Sequence, residues 1–430
     1  MKTYKIVSLG CPKNLVDSEI IMGLLEKSRY KYSEKAQIVI INTCGFISSA
    51  VKESEEEILS YIKKKKKGEI KKLVVAGCLV QREKQKLIEK FPDIDLIIGH
   101  DDILNIVKLI ENGKAPKIFE NPRYLPNSNF PRLITTNYYA YLKIGEGCSR
   151  NCSFCTIPLI RGKFRSRPIE DILNEVKFLS ELNIKEVVLV AQDLTLYGYD
   201  LYKKFALLDL MEALDSIENI KWYRLLYVHP DGIARNEDFM RNISNFRVVP
   251  YLEVPIQHIS DRILRLMNRT GGKSSILRAL EIVEKYLKNY TLRTEIIVGF
   301  PSESEEEFEE LVEFILRSPF SRIGVFPYYR EQSTISYSFD NQIDEDEKMR
   351  RYEIASQIAF SKFLEFQKNL INREVPVLIE SYERGYFYGR SIYDAPNVDG
   401  KVILKGKFKL GEIYNVKIFD VSEEGDLIVK

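Results

Sequence analysis

The sequence carries no excess of charge. Its 64 Lys and Arg against 62 Asp and Glu leave +2 at pH 7 over 430 residues, which removes the global field that would argue for a nucleic-acid binder. No apolar run approaches twenty residues, so no membrane span is expected. Met1-Lys2-Thr3-Tyr4-Lys5 leads straight into a strand pattern rather than a leader. These absences predict a cytoplasmic, membrane-free protein. Cysteine is scarce, and a disulfide framework is not expected in that compartment. There are six cysteines: three in one loop, and Cys11, Cys44 and Cys78 near the start, with none left over. Hydrophobic content of 45% and charged content of 29% are ordinary for a globular chain, and the length suits two or three domains.

The central loop reads Gly145-Glu146-Gly147-Cys148-Ser149-Arg150-Asn151-Cys152-Ser153-Phe154-Cys155. A loop this tight turns three thiolates toward one point, and thiolates are the usual ligands of iron–sulfur clusters. Three ligands leave the fourth iron of a cubane open to a small molecule, as at other open catalytic metal positions. Zinc would want a further Cys or His nearby, and none lies within forty residues on either side. A disulfide would strand one thiol. Zinc or redox thiols remain the alternatives to a cluster.

Each of the other cysteines follows a strand-like run: residues 5–10 before Cys11, 37–43 before Cys44 and 72–77 before Cys78. Helix-like spacing follows at about 15–28, 48–67 and 80–90. This alternation predicts a doubly wound parallel α/β domain, whose ligand edge collects the loops after the strands. Cys11, Cys44 and Cys78 would converge there on a second cluster with one open iron. The alternative is three small buried residues at strand ends. The five-lysine run Lys63–Lys67 reads as a solvated helix end, with an RNA contact as the sharper option.

A linker with Pro122, Pro126 and Pro131 is expected over 120–137. Beyond it come six strand candidates, Tyr138–Ile144, Lys185–Ala191, Trp222–Val228, Val248–Val254, Leu292–Val298 and Arg322–Tyr328. Helical patterns at about 168–182, 206–216, 274–288 and 303–317 alternate with them, predicting a partial (β/α)6 barrel with its active face at the strand C-termini. Gln192, Asp193, His229, Gln257, His258 and Glu295 recur around that rim, either as loop caps or as the lining of a polar cofactor. The basic loop Arg161–Pro168 reads equally as solvated surface or as a holder of an acidic substrate segment or a cofactor carboxylate. A connecting helix over about 343–371 precedes five short strand runs, Val375–Ser381, Tyr386–Ser391, Gly400–Leu404, Ile413–Val421 and Asp426–Val429, which predict a small antiparallel β-barrel. Residues 365–430 hold ten Lys and Arg against eleven Asp and Glu, a balance of −1. Phosphate contacts favour basic modules, so this balance favours a protein target over RNA, although Tyr382, Tyr386, Phe387, Tyr388 and Tyr393 could stack on bases.

The Cys148 loop with Phe154 resembles the signature of radical S-adenosylmethionine (SAM) enzymes. The resemblance implies Cys148, Cys152 and Cys155 as ligands of a 4Fe-4S cluster that chelates SAM, with Phe154 near the adenine. An N-terminal Cys triad, a radical SAM barrel and a C-terminal TRAM domain together resemble the methylthiotransferase family. Ser8-Leu9-Gly10-Cys11-Pro12-Lys13-Asn14-Leu15-Val16-Asp17-Ser18-Glu19 and Asn42-Thr43-Cys44-Gly45-Phe46-Ile47 resemble the branch that modifies an aspartate of small-subunit ribosomal protein twelve; tRNA-modifying relatives typically have Gln or Lys-Val in place of Pro12-Lys13. The phrases around Gln192, Gln257 and Gly299 resemble that branch too, with Gly299 expected to let SAM approach the backbone. Ser302 departs from it, standing where glycine is usual.

The resemblance implies domains at 1–119, 138–364 and 365–430. It implies a monomer with two clusters on Cys11, Cys44, Cys78 and on Cys148, Cys152, Cys155, using two SAM molecules and a flavodoxin or ferredoxin as electron donor. The sulfur donor is not implied. The rivals are a tRNA adenosine methylthiotransferase and a non-catalytic iron–sulfur scaffold or electron carrier.

Overall fold

Strands β1 (Thr3–Ser8), β2 (Lys31–Tyr32), β3 (Ile38–Thr43), β4 (Lys72–Gly77) and β5 (Leu96–Ile98) form one parallel sheet in the order β2-β1-β3-β4-β5. These details come from a computed structural model, which describes residues 2–113, 118 and 121–430. The runs IVIINT and KLVVAG are apolar on both faces because both faces are covered. Ile40 and Val74 point with Ile21 and Leu25 of the helix Pro12–Lys27, while Val39, Ile41, Leu73 and Val75 point toward Ile58 and Ile62 of the helix Ser48–Lys66. The Lys63–Lys67 run closes that second helix, with Lys65 paired to Asp95 at 2.6 Å and Lys66 to Asp93 at 2.9 Å. The expected helix at 80–90 is broken into Cys78–Glu83 and Gln85–Lys90 at Lys84, whose φ is +53°.

The linker carries no helix or strand over 121–137, and residues 119–120 lie outside the described residues. It is pinned by Arg132, which pairs with Glu19 of the first domain and Glu175 of the second, each at 2.6 Å. The central domain opens with β6 (Tyr139–Lys143) and a two-stranded antiparallel piece, β7 (Gly145–Glu146) with β8 (Arg165–Ser166). Then come β9 (Glu186–Val190), β10 (Trp222–Leu225), β11 (Val248–Glu253), β12 (Thr291–Val298) and β13 (Phe320–Pro327). The parallel order β6-β9-β10-β11-β12-β13 is the expected six-stranded arc. Helices Ile169–Glu181, Leu207–Leu214, Gly272–Tyr286 and Glu305–Arg317 cover its outer face. Its inner face, with Tyr141, Val188, Val190 and Tyr251, is closed by Val16 and Ile20 of the first domain and by Leu378 and Ala395 of the last.

After the helix Glu345–Lys368 come β14 (Glu374–Glu383), β15 (Tyr386–Ser391), β16 (Val402–Leu404), β17 (Ile413–Lys417), β18 (Asp420–Val421) and β19 (Leu427–Val429), in the order β17-β14-β15-β16-β19-β18. The two edge strands are separated in sequence only by Ile418 and Phe419, so the sheet curls on itself. All pairs are antiparallel except β16 with β19. The chain crosses once from β16 and returns once, which restores the direction of β16. Arg322 pairs with Asp394 at 2.9 Å and Arg293 with Asp399 at 3.2 Å, while Arg390 pairs with Glu186, docking this domain on the central sheet. Asp394, Asp399 and Arg390 therefore do not face a partner, and the −1 balance overstates how acidic the free surface is. Among the described residues, no helix is long and apolar enough to cross a membrane.

Candidate active site between two cysteine triads

Cys11 precedes the helix Pro12–Lys27, Cys44 follows β3, and Cys78 opens the helix after β4. All three lie at the C-terminal edge of the parallel sheet, and their loops touch. A Cβ at Gly10, where φ is +86°, would stand 2.9 Å from Cys44 Sγ. One at Gly45 would stand 2.8 Å from Leu79 Cα and 2.9 Å from the Cys78 carbonyl carbon. The thiols are free and feel one another electrostatically. Burial pushes Cys44 up to about 12, with Cys78 adding to the effect. Burial also raises Cys78, against the pull of Arg161, whose Nη2 lies 3.2 Å from its Sγ. Burial acts on Cys11 as well, but Lys13, Arg161 and the amides heading the helix together bring it below its ordinary value.

Cys148, Cys152 and Cys155 occupy the loop after β7. Ser153 anchors it, donating through N to Met267 O at 2.9 Å and through Oγ to Leu266 O at 2.7 Å. The Phe154 ring stands edge-on to Phe300 at 6.5 Å. Burial lifts Cys148 to about 11 and Cys155 further. Arg269 Nη1 lies 3.6 Å from Cys152 Sγ.

Among the described residues, no three His, Cys, Asp or Glu side chains are set to hold a single metal ion. In a cluster each thiolate takes a different iron, which spreads the ligands more widely. Two all-thiol donor sets with guanidinium groups beside them fit that group. The rim offers buried polar atoms without partners in Gln192 Oε1, His229 Nε2 and Glu295 Oε2, which fits a polar cofactor.

Of the expected rim residues, Gln192 donates to Glu146 Oε1 at 2.9 Å, and Glu295 accepts from Arg293 at 3.1 Å. Gln257 holds φ +72° at its bridge to Ile296. His229 and His258 use Nδ1 to accept the amides of Asp231 and Ser260, as turn caps do. Asp193 caps Thr195 and pairs with Arg150 of the cysteine loop at 2.9 Å. The space beside Gly299 is taken by Lys348, to whose Cγ a Cβ would come within 2.4 Å, so the missing side chain makes room for the connecting helix. Ser302 sits at φ +68°, where glycine is at ease. Ser302→Gly is expected to raise stability by about 0.5 kcal/mol, the left-handed penalty of about 1–2 kcal/mol outweighing the added chain entropy of about 0.4–1 kcal/mol; thermal unfolding reads it.

Only part of the basic loop is solvated, Lys163 being exposed, and its buried arginines hold acidic groups of the protein itself. Arg161 and Arg167 are buried, 2% and 1% exposed. Arg161 pairs with Asp17 at 2.9 Å and Glu146 at 3.1 Å, and Lys143 joins the same two carboxylates at 2.6 and 2.7 Å. Sequence reasoning missed this network; the only signals were the glycines around Glu146 and the acid-bearing motif after Cys11.

Residues 142–315 match the Radical SAM superfamily, 3–99 the Uncharacterized protein family UPF0004, and 371–430 the TRAM domain. The ribosomal protein uS12 methylthiotransferase RimO of Carboxydothermus hydrogenoformans is 42% identical over 429 residues, 97% of each chain. The chain belongs to the RimO family. The RimO of Clostridioides difficile is likewise 42% identical, over 98% of this chain and 97% of that one. As a RimO-family protein it is a radical SAM methylthiotransferase, and its superfamily implies a 4Fe-4S cluster and SAM. The fold is shared with the radical SAM methyltransferase TsrM of Kitasatospora setae, at a TM-score of 0.56, 13% identity, and coverage of 78% of this chain and 77% of that one.

Proposed function

We propose that the protein inserts a methylthio group at the β-carbon of an aspartate of ribosomal protein uS12, with one 4Fe-4S cluster on each triad and two molecules of SAM. One observation carries the division of labour. Arg161 contacts Cys78 Sγ, and its neighbour Gly162 accepts the Cys148 amide at 3.0 Å, so a single dipeptide joins the two triads. When bound, the central cluster and SAM would supply electron transfer and hydrogen abstraction, and the N-terminal cluster would hold the sulfur to be inserted.

The protein's own residues hold and shield these groups. Cys148, Cys152 and Cys155 would ligate the first cluster and Cys11, Cys44 and Cys78 the second. Phe154, Gln192, Gln257, Glu295 and the Gly299 turn would line the SAM site. The first and last domains pack across the inner face of the sheet, and their closure on the substrate would exclude water from the space between the triads. An electron donor such as flavodoxin or ferredoxin, a monomeric state and a cytoplasmic setting belong to the same reading.

The test is an anaerobic assay of the reconstituted protein against uS12 and tRNA. A methylthiolated aspartate in uS12 is expected. Methylthiolated tRNA with untouched uS12 points to the nucleic-acid rival, and absence of 5′-deoxyadenosine after reduction with SAM points to an electron carrier.

A further inference from the structure

Lys13 lies two residues beyond Cys11, in the first turn of the helix Pro12–Lys27, and is 8% exposed. A lysine this buried ordinarily has a carboxylate beside it. This one has no hydrogen-bond or ion-pair partner among the described residues. It rests on the Tyr227 ring, 3.6 Å from the centroid. Tyr227 follows β10 at φ +64°, rare for an aromatic residue, and its carbonyl is held by the Leu194 amide at 3.0 Å.

The acids nearby do not compensate Lys13. Among the described residues Glu253 makes no ion pair with it, and that carboxylate lies 4.0 Å from Arg293 Nε. Arg293 takes Glu295 at 3.1 Å and Asp399 at 3.2 Å. What remains is one cation without a carboxylate, facing the Cys11 thiol whose pKa it helps lower, at the head of a 16-residue helix whose dipole adds to its charge. It stands where the Cys11 loop meets the barrel rim.

We propose that Lys13 receives the side-chain carboxylate of the acceptor aspartate, an inference that rests on the function proposed above. A charge-assisted pair to this ammonium anchors the carboxylate carbon, and the β-carbon to be modified is one bond away. The anchor would set that carbon between the triads and select aspartate over a neutral residue.

The test compares two uS12 peptides, one with the acceptor Asp and one with Asn in its place, binding the anaerobically reconstituted protein by fluorescence anisotropy. Wild type is expected to hold the Asp peptide at least about tenfold more tightly. Lys13→Met should bind both peptides alike, at the weaker level, and Lys13→Arg should keep the preference. Removing an unpaired buried charge should not lower thermal stability, and iron content should not fall. A Lys13→Met variant that keeps the Asp preference overturns the inference alone. So does one that loses iron while keeping the preference, since the lysine would then serve the cluster. Wild type that binds neither peptide overturns the inference together with the uS12 reading on which it rests.

Discussion

Cys148→Ala abolishes release of 5′-deoxyadenosine from SAM, while Cys44→Ala leaves much of that release and abolishes methylthiolation. This is the expected outcome if the triads have separate tasks. Each variant should retain one cluster, so iron falls from about eight to about four atoms per chain in both. The products then separate them. Cys148 lies in the loop that carries Phe154 and is anchored to Met267 and Leu266, and its loss disables electron transfer to SAM. Cys44 lies across the Arg161–Gly162 connection, packed on Gly10, and its loss spares the central loop's anchors. The affected product should drop by at least about a thousandfold, because the lost group acts only in the chemical step. Anaerobic single-turnover chromatography of both products, with iron and sulfide content, reads the result. Equal loss of both products from both variants would refute separate tasks.

Much of this arrangement was legible in the sequence, for physical reasons that also mark where legibility ends. The six central strands fall within two or three residues of their expected ends because a parallel sheet covered on both faces demands continuous apolar runs. Strands β2 and β5 escaped because Lys31-Tyr32 is short and polar and Leu96–Ile98 holds three residues. Convergence of Cys11, Cys44 and Cys78 could be read from topology, since loops after parallel strands share an edge. Closure of the inner sheet face could not. Val16 and Ile20 look like any apolar helix face, and nothing local says that their partner is Tyr141 rather than their own sheet. Nor could the role of Arg161. A run of basic residues reads as solvated until the acids that bury it are found, and Asp17 is 144 residues away.

Asp17→Ala should destabilise the docking of the first domain on the second by about 3–5 kcal/mol. Asp17, Lys143, Glu146 and Arg161 form a neutral square of two acids and two bases, none more than 2% exposed. Removing one acid leaves two buried cations sharing one carboxylate, with no water to take up the excess charge. The square also sets a pH dependence. Burial alone would raise the Glu146 carboxyl, but Arg161 and Lys143 hold it far below its ordinary 4.5. A depressed carboxyl contributes stability that is fully present above about 4.5 and drains as pH falls below it. Urea unfolding of the wild type should therefore weaken below that point. The double variant Asp17→Leu with Lys143→Met removes one acid and one base together, leaving Glu146 and Arg161 as a neutral pair. It should recover most of the stability lost in Asp17→Ala, since a removed pair costs far less than a broken one. A double variant no more stable than the single one would mean that packing of the helix Pro12–Lys27 on the sheet, rather than charge balance, holds the two domains together.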